Sequence, residues 1–178
     1  MGDINEINKR MVRNVFLNTE ILLNEGETQI FEYDVQAFMF QFFRTFLRTY
    51  NYKAGREKEG KVDCVLYDDN ENPVVYYEIK TYFKEREKIQ VEHFEKDIDK
   101  LADLISRNPG ARGFFFTSGL TKKYKEGDAS KLPFISAHID NVRSWPKLNL
   151  ASGKIVTLRP SVKEIKGQSN TMTWEVLL

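Results

Sequence analysis

Two strand-like segments, separated by a short segment of turn-forming residues, place the strongest constraint on what this chain can fold into. Residues 61–67 and 74–82 are rich in β-branched and aromatic side chains, which favour strands. Between them, residues 68–73 read Asp-Asp-Asn-Glu-Asn-Pro, a run of residues that favour tight turns. The sequence therefore predicts a β-hairpin in which the numbers of paired residues add up to 141.

Other elements follow from the spacing of apolar residues, which recurs every three or four positions in helices. The predicted helices span residues 3–24, about 28 or 34 to 50, and 85–107. The other predicted strands are 51–60, 113–117, 154–159 and 171–178, with loops at 122–131 and 145–153. This order predicts a mixed α/β fold in a single domain, 1–178. Its αβββαβ core spans about 28–120, after an N-terminal helix and before a small β-rich extension at about 121–178.

Composition excludes several classes of protein. With 178 residues, 41% of them hydrophobic, the chain can bury the core of one domain, which excludes a disordered or collagen-like chain. A single cysteine and two histidines are too few for a zinc site built from His and Cys, so a bound metal would need carboxylate ligands. One cysteine also forms no internal disulfide, which favours a reducing compartment. We expect a cytoplasmic, intracellular protein with no secretory signal and no membrane span.

The net charge of +1 hides an uneven distribution along the chain. Residues 1–110 contain 16 basic and 21 acidic side chains, whereas residues 111–178 contain 11 and 5. A basic C-terminal extension can indicate a polyanionic partner. An ordinary solvated surface would explain the same distribution.

The predicted hairpin brings two carboxylates together. Pairing with a sum of 141 places Asp63 opposite Glu78, and side chains alternate along a strand, so Lys80 lies on the face of Glu78. Two carboxylates at this distance repel each other unless a cation lies between them, and Mg²⁺ prefers such oxygen ligands. The alternative is that each carboxylate is an edge charge paired with a Lys or Arg.

This arrangement resembles the PD-(D/E)XK nuclease superfamily, which has the restriction-endonuclease-like fold. Val62-Asp63, the hairpin, and Glu78-Ile79-Lys80 resemble the family motif, with Val62 in the place of the family's proline. The resemblance covers about residues 28–120. It implies an Mg²⁺- or Mn²⁺-dependent deoxyribonuclease, expected to be an endonuclease. Asp63 and Glu78 would bind the metal, and Lys80 would position or activate water.

Many members of that family place a further Glu ligand on the helix before the first strand. This sequence offers Glu32 for that metal-ligand position or Gln36 as an active-site contact, and the residues leave the choice open. Glu32 has the carboxylate but could precede the helix. Gln36 lies on an otherwise apolar helix face, where an unpaired amide would be costly.

Other candidate contacts lie later in the chain. Gln90, with Phe94, resembles a Gln-x-x-x-Tyr element of some branches of the family and is a possible active-site contact. The predicted loop 122–131 is basic, and it could follow a nucleic-acid backbone through Lys122, Lys123 and Lys125. A mobile solubilising loop would have the same composition.

The resemblance implies a nucleic-acid substrate, DNA rather than RNA, and a homodimer would supply the two sites that double-strand cleavage needs. The alternative function is a catalytically inactive nucleic-acid-binding or assembly subunit with the same fold. An intact Asp63, Glu78 and Lys80 set favours the enzyme.

Overall fold

The structure is a computed structural model that describes residues 3–27, 29–47, 50–55, 62–83, 91–122, 135, 138 and 145–178. Within these ranges the chain forms helices and strands in the order that follows. They are α1 (Ile4–Asn24), α2 (Glu32–Phe46), β1 (Lys53–Gly55), β2 (Cys64–Tyr67), β3 (Pro73–Tyr82), α3 (Val91–Arg107), β4 (Arg112–Leu120), β5 (Lys147–Asn149), β6 (Ile155–Lys166) and β7 (Ser169–Leu177).

The strands form one mixed sheet in the order β1-β2-β3-β4-β7-β6-β5. β3 and β4 are parallel, because α3 lies between them in the chain and returns it to the same end of the sheet. The other neighbouring pairs are antiparallel. The prediction of a mixed α/β fold is confirmed.

Helices cover both faces of the sheet and enclose two apolar cores. α1 and α2 pack on one face, where Phe43, Tyr77 and Phe114 lie in one buried cluster. α3 packs on the other face, where Phe94 and Trp174 lie in the second cluster. Side chains alternate along a strand. Tyr77 of β3 therefore points toward α2, whereas its neighbour Tyr76 points toward α3.

The helix boundaries follow from local capping. α1 begins after Asp3, whose side chain accepts a hydrogen bond from the Asn5 N–H, and it ends before Gly26, whose φ of 89° suits glycine. α2 begins at Glu32, between the two predicted starts, because the Asp34 carboxylate accepts the Phe31 N–H at 2.8 Å. α2 ends at Phe46, short of the predicted residue 50. No helix in the ranges that the structure describes is both long and apolar enough to cross a membrane.

The predicted hairpin is present with the predicted register. β2 and β3 pair Cys64 with Tyr77, so that paired numbers add up to 141 until the register shifts between Leu66 and Tyr67. Asp68 closes the turn, because its Oδ1 accepts hydrogen bonds from the backbone N–H groups of Asn70 and Asn72 at 2.9 and 2.8 Å. β2 begins at Cys64, so Asp63 lies immediately before the strand instead of within it.

The C-terminal extension differs most from its prediction. β7 pairs with β4 from Gly113 to Leu120, so these strands continue the sheet of the core. The predicted loop 145–153 contains the short strand β5. β6 also runs seven residues past the predicted end at 159, because a register shift between Pro160 and Lys163 accommodates a proline that cannot donate a ladder hydrogen bond.

The end of β7 marks the limit of the buried sheet. The side chains of Met172, Trp174 and Val176 are buried, whereas Leu178 is 65% exposed. β7 ends at Leu177, so Leu178 lies just outside the strand.

Candidate active site

Asp63 is fixed by two hydrogen bonds where the sheet meets α2. Its Oδ2 accepts the backbone N–H of Ile79 at 2.8 Å, and its Oδ1 accepts the side-chain amide of Gln36 at 2.9 Å. Ile79 lies between Glu78 and Lys80 in β3. The predicted neighbourhood of Asp63 and the Glu78–Lys80 segment is therefore present.

Glu78 and Lys80 extend from β3 toward α3. Glu78 is 2% exposed, and its Oε1 lies 2.6 Å from the Lys100 Nζ. Lys80 is more accessible, with its Nζ 2.9 Å from Asp97 Oδ2 and 3.8 Å from Glu32 Oε2. The two side chains therefore share a face, as predicted, and meet partners from both α2 and α3.

The two candidates on α2 have different contacts. Gln36 donates its hydrogen bond to Asp63, whereas Glu32, the first residue of α2, lies nearest Lys80. They are four residues apart on the helix, so both face the same end of the sheet. Glu32 and Gln36 were alternatives in the prediction from sequence, and the structure brings both to the candidate site.

Asp97 and Lys100 of α3 were missed by the sequence analysis. Asp97 contacts Lys80 and also lies 3.8 Å from Lys100, which in turn contacts Glu78. The available signal was their spacing of three, which puts both at the border of the apolar stripe formed by Phe94, Ile98 and Leu101. This signal is weak, because polar residues border the apolar stripe of most amphipathic helices.

Burial changes the acidity of the three candidate ligands. Burial, followed by the charge of Asp63, raises the pKa of Glu78 from 4.5 to about 8. Burial also raises the pKa of Asp63, although the Ile79 N–H and Lys80 oppose that change. The pKa of Glu32 is raised mainly by burial, against the opposing charge of Lys80. An additional cation nearby would favour the charged form of these three carboxylates.

Lys80 is held in its charged form. Burial alone would lower its pKa, but the hydrogen bond and charge of Asp97, together with Glu32 and Asp63, outweigh burial and raise the pKa. Lys80 is therefore an ammonium ion at neutral pH. In this state it can donate hydrogen bonds and stabilise negative charge, but it cannot accept a proton.

The donor set suits a hard divalent cation, since Asp63, Glu78 and Glu32 offer only carboxylate oxygens. Within the described ranges, however, no three His, Cys, Asp or Glu side chains are arranged to hold a metal ion in this conformation. Lys80 and Lys100 neutralise the carboxylates here. The metal site therefore stays a prediction.

Several other predicted contacts cannot be placed. Gln90, Lys123 and Lys125 lie outside the described residues, and Lys122 is exposed. Cys64 is fully buried, and burial raises the pKa of its thiol, so it packs as a small core residue.

The comparisons with known proteins add no family to these observations. The chain matches no protein-family model, and no curated protein matches it.

Proposed function

We propose that the chain is a metal-dependent nuclease that hydrolyses phosphodiester bonds, most readily those of DNA. The observation that carries the proposal is the position of Asp63, whose carboxylate is bonded to the Ile79 N–H between Glu78 and Lys80. Two carboxylates and an ammonium group at one end of a sheet suit phosphoryl chemistry, in which negative charge increases at the phosphate.

The fold supports the proposal. One helix, three antiparallel strands, a crossover helix and a parallel strand occur in the order α2, β1, β2, β3, α3 and β4. We interpret these elements as the restriction-endonuclease-like core of the PD-(D/E)XK resemblance. α1 and the β5–β7 strands are additions to it. Since one fold can serve many functions, the site carries the functional claim.

Asp63 and Glu78 would hold Mg²⁺ or Mn²⁺, with Glu32 as a further ligand. When bound, the cation supplies Lewis acidity at the phosphate and favours ionisation of a water molecule. The chain itself supplies the orientation, because the hydrogen bonds from Ile79 and Gln36 fix the Asp63 carboxylate. A homodimer would supply the second site needed for double-strand cleavage.

Lys80 would act as a cation and not as a general base. Asp97 lies 2.9 Å from its Nζ and favours the ammonium form. An ammonium group beside the reacting phosphate can orient the attacking water and stabilise the charge that develops on the phosphate oxygens.

The test compares DNA and RNA hydrolysis by the wild type with hydrolysis by Asp63→Asn and Lys80→Met. Plasmid DNA, single-stranded DNA and RNA are incubated with Mg²⁺ or Mn²⁺. We expect each substitution to lower the cleavage rate by roughly 10² or more, as loss of one charge-stabilising group does in other enzymes.

Matched controls are available on the same hairpin and at the sheet edge. Asp69→Asn makes the same change at an exposed turn residue, and Lys53→Met removes a lysine whose side chain is 64% exposed. Both should cleave at the wild-type rate. Equal activity of the wild type, Asp63→Asn and Lys80→Met would contradict the proposal.

One observation favours the second candidate, an inactive nucleic-acid-binding or assembly subunit. Lys100 Nζ lies 2.6 Å from Glu78 Oε1 and already supplies a positive charge to that buried carboxylate. Calorimetric titration with Mn²⁺ separates the two functions. The nuclease should bind Mn²⁺ and lose that binding in Asp63→Asn, whereas the inactive subunit should bind none.

A further inference from the structure

A groove of about 720 Å³ lies between α2 and β1. Phe40, Gln41 and Arg44 line it from the helix, and Gly55 lines it from the strand. This volume lies within the range of about 300–1,000 Å³ that small-ligand sites occupy. None of the candidate catalytic residues line it.

One row of residues on α2 connects the candidate site with the groove. Glu32, Gln36, Phe40 and Arg44 are each four residues apart, so they form a line of neighbours on the helix surface. The first two contact Lys80 and Asp63, and the last two line the groove. From Gln36 to Arg44 the helix rises about 12 Å.

The strand side of the groove leads to the same place. Gly55 pairs with Val65, two residues after Asp63, so the end of β1 lies beside the start of β2. Among the described residues β1 pairs with β2 alone, which leaves its other edge with backbone N–H and C=O groups that can bond a ligand.

The chemistry of the lining fits one strand of a nucleic acid. Arg44 is exposed, and it forms no ion pair with any residue that the structure describes. Among the residues that the structure describes, none of those that line the groove carries a carboxylate. Phe40 is half-buried and presents a ring on which a base can stack, while an arginine beside it can contact a phosphate.

We propose that this groove binds the single-stranded segment of nucleic acid that adjoins the scissile phosphate. Phe40 stacks with a base, Arg44 contacts the phosphate backbone of the nucleic acid, and Gln41 forms a hydrogen bond with the polar edge of a base. A stacked strand advances about 3.4 Å per nucleotide, so the 12 Å row accommodates roughly three nucleotides. The inference rests on the proposed nuclease function for the position of the scissile bond, but the binding site itself does not require catalysis.

The test measures binding without cleavage. A fluorescein-labelled single-stranded DNA of about 12 nucleotides is titrated in EDTA, and its anisotropy is followed over a series of salt concentrations, with an RNA of the same sequence and a DNA duplex as further arms. The proteins are the wild type, Arg44→Gln, Phe40→Leu and a control, Arg107→Gln. Arg107 is exposed at the end of α3, on the other face of the sheet.

We expect Arg44→Gln to weaken single-strand binding at least about 5-fold near 0.1 M salt. It should also reduce the slope of log affinity against log salt by about 0.7, which is the value for one phosphate contact on a single strand. Phe40→Leu keeps an apolar side chain packed against the core. It removes the stacking ring, however, and should therefore weaken binding roughly 5-fold or more. Arg107→Gln should match the wild type, and thermal melts should show that all variants fold.

Wild-type affinity and an unchanged slope in Arg44→Gln and Phe40→Leu would overturn the inference, as would a wild type that binds only the duplex or no nucleic acid. Cleavage assays on the same proteins separate this result from the proposed function. If the wild type cleaves DNA while both variants bind normally, only the groove is refuted. If both variants lose binding but the wild type cleaves nothing, only the nuclease is refuted.

Discussion

Gln36 shows why an amide occupies a position where a third carboxylate could have been expected. Its Nε2 donates to Asp63 Oδ1 at 2.9 Å, and Asp63 is already partly buried next to Glu78. A glutamate at position 36 would add a third negative charge to those of Asp63 and Glu78, and it would repel Asp63. An amide instead donates a hydrogen bond to the charged carboxylate and fixes its orientation. The carboxylate that α2 brings to Lys80 is Glu32, one turn before Gln36.

Glu175 is a buried carboxylate on the opposite face of the sheet from Glu78. It accepts a hydrogen bond from Arg112 Nε at 2.7 Å and another from Arg159 Nη2. Burial would raise its pKa, but the two arginines outweigh burial and lower the pKa below 4.5. Unlike Glu78, it therefore has a fixed pair of counter-ions and serves the stability of the β4–β7–β6 region.

Glu175→Gln should destabilise the protein at pH 7 by about 2–4 kcal/mol, because it leaves two arginines without their buried partner. A folded-state pKa below the unfolded value of about 4.5 means that the stabilisation is present above pH 4.5 and is lost as the pH falls through the folded value. Urea unfolding at pH 7 and near pH 3 measures this difference. The gap between variant and wild type should shrink at the lower pH.

The matched control is Glu164→Gln on β6, which removes one charge from the neighbouring strand. Its free energy of unfolding should stay within about 0.5 kcal/mol of the wild type at both pH values. A Glu175→Gln variant as stable as Glu164→Gln at pH 7 would refute the stabilising role of Glu175.

At the scale of elements, α3 does more than close the core. Its apolar stripe packs against the sheet, and the border of that stripe brings Asp97 to Lys80 and Lys100 to Glu78 in β3. The helix therefore positions Lys80 from one side while α2 approaches from the other. A small shift of α3 would change both ion pairs together.

Asp97→Asn should lower the cleavage rate of the proposed nuclease about 10- to 100-fold, as loss of a supporting hydrogen-bond partner does at other sites. The physical reason is that Asp97 holds the Lys80 Nζ at 2.9 Å. If Asp97 positions Lys80, kcat should fall more than KM rises, and Asp97→Glu should restore part of the rate. Steady-state cleavage kinetics measure both constants.

Glu95→Gln is the control for this prediction, since it removes one negative charge from an exposed position of the same helix. It should retain wild-type kinetics. A rate for Asp97→Asn equal to that of Glu95→Gln would show that Asp97 plays no part in positioning Lys80.

The sequence predicted those elements whose signals are local. The hairpin register depends on a turn and two adjacent strands, so Cys64 and Tyr77 could be paired from the sequence alone. β5 was missed because a three-residue strand contains too little pattern to recognise. β6 was predicted to stop before Pro160, because a register shift that tolerates proline has no clear sequence signature.

At the scale of the whole molecule, the contacts that sequence could not supply are those between distant elements. Gln36 and Asp63 are 27 residues apart, and their pairing depends on how α2 crosses the sheet. The insertion of β7 beside β4 likewise depends on which sheet edge the last hairpin meets. Charge and strand patterns predicted a β-rich extension, but its integration into the sheet required the tertiary structure.

This integration predicts a single cooperative unfolding transition. Trp174 of β7 is fully buried, and its ring centroid lies 6.3 Å from that of Phe115 in β4, so the last strand shares a core with the crossover strand. Loss of either strand would expose the core cluster that also includes Phe94 of α3. The extension should therefore unfold together with the helices.

Two spectroscopic signals test this expectation separately. Both tryptophans, Trp145 and Trp174, lie in the extension, whereas α1, α2 and α3 all precede it in the chain. In a Trp145→Phe variant, fluorescence reports Trp174 alone, and circular dichroism at 222 nm reports mainly the long helices α1, α2 and α3. Their urea midpoints should agree within about 0.2 M. A fluorescence midpoint well below the dichroism midpoint would mean that the extension unfolds independently, and the shared core would then contribute little to its stability.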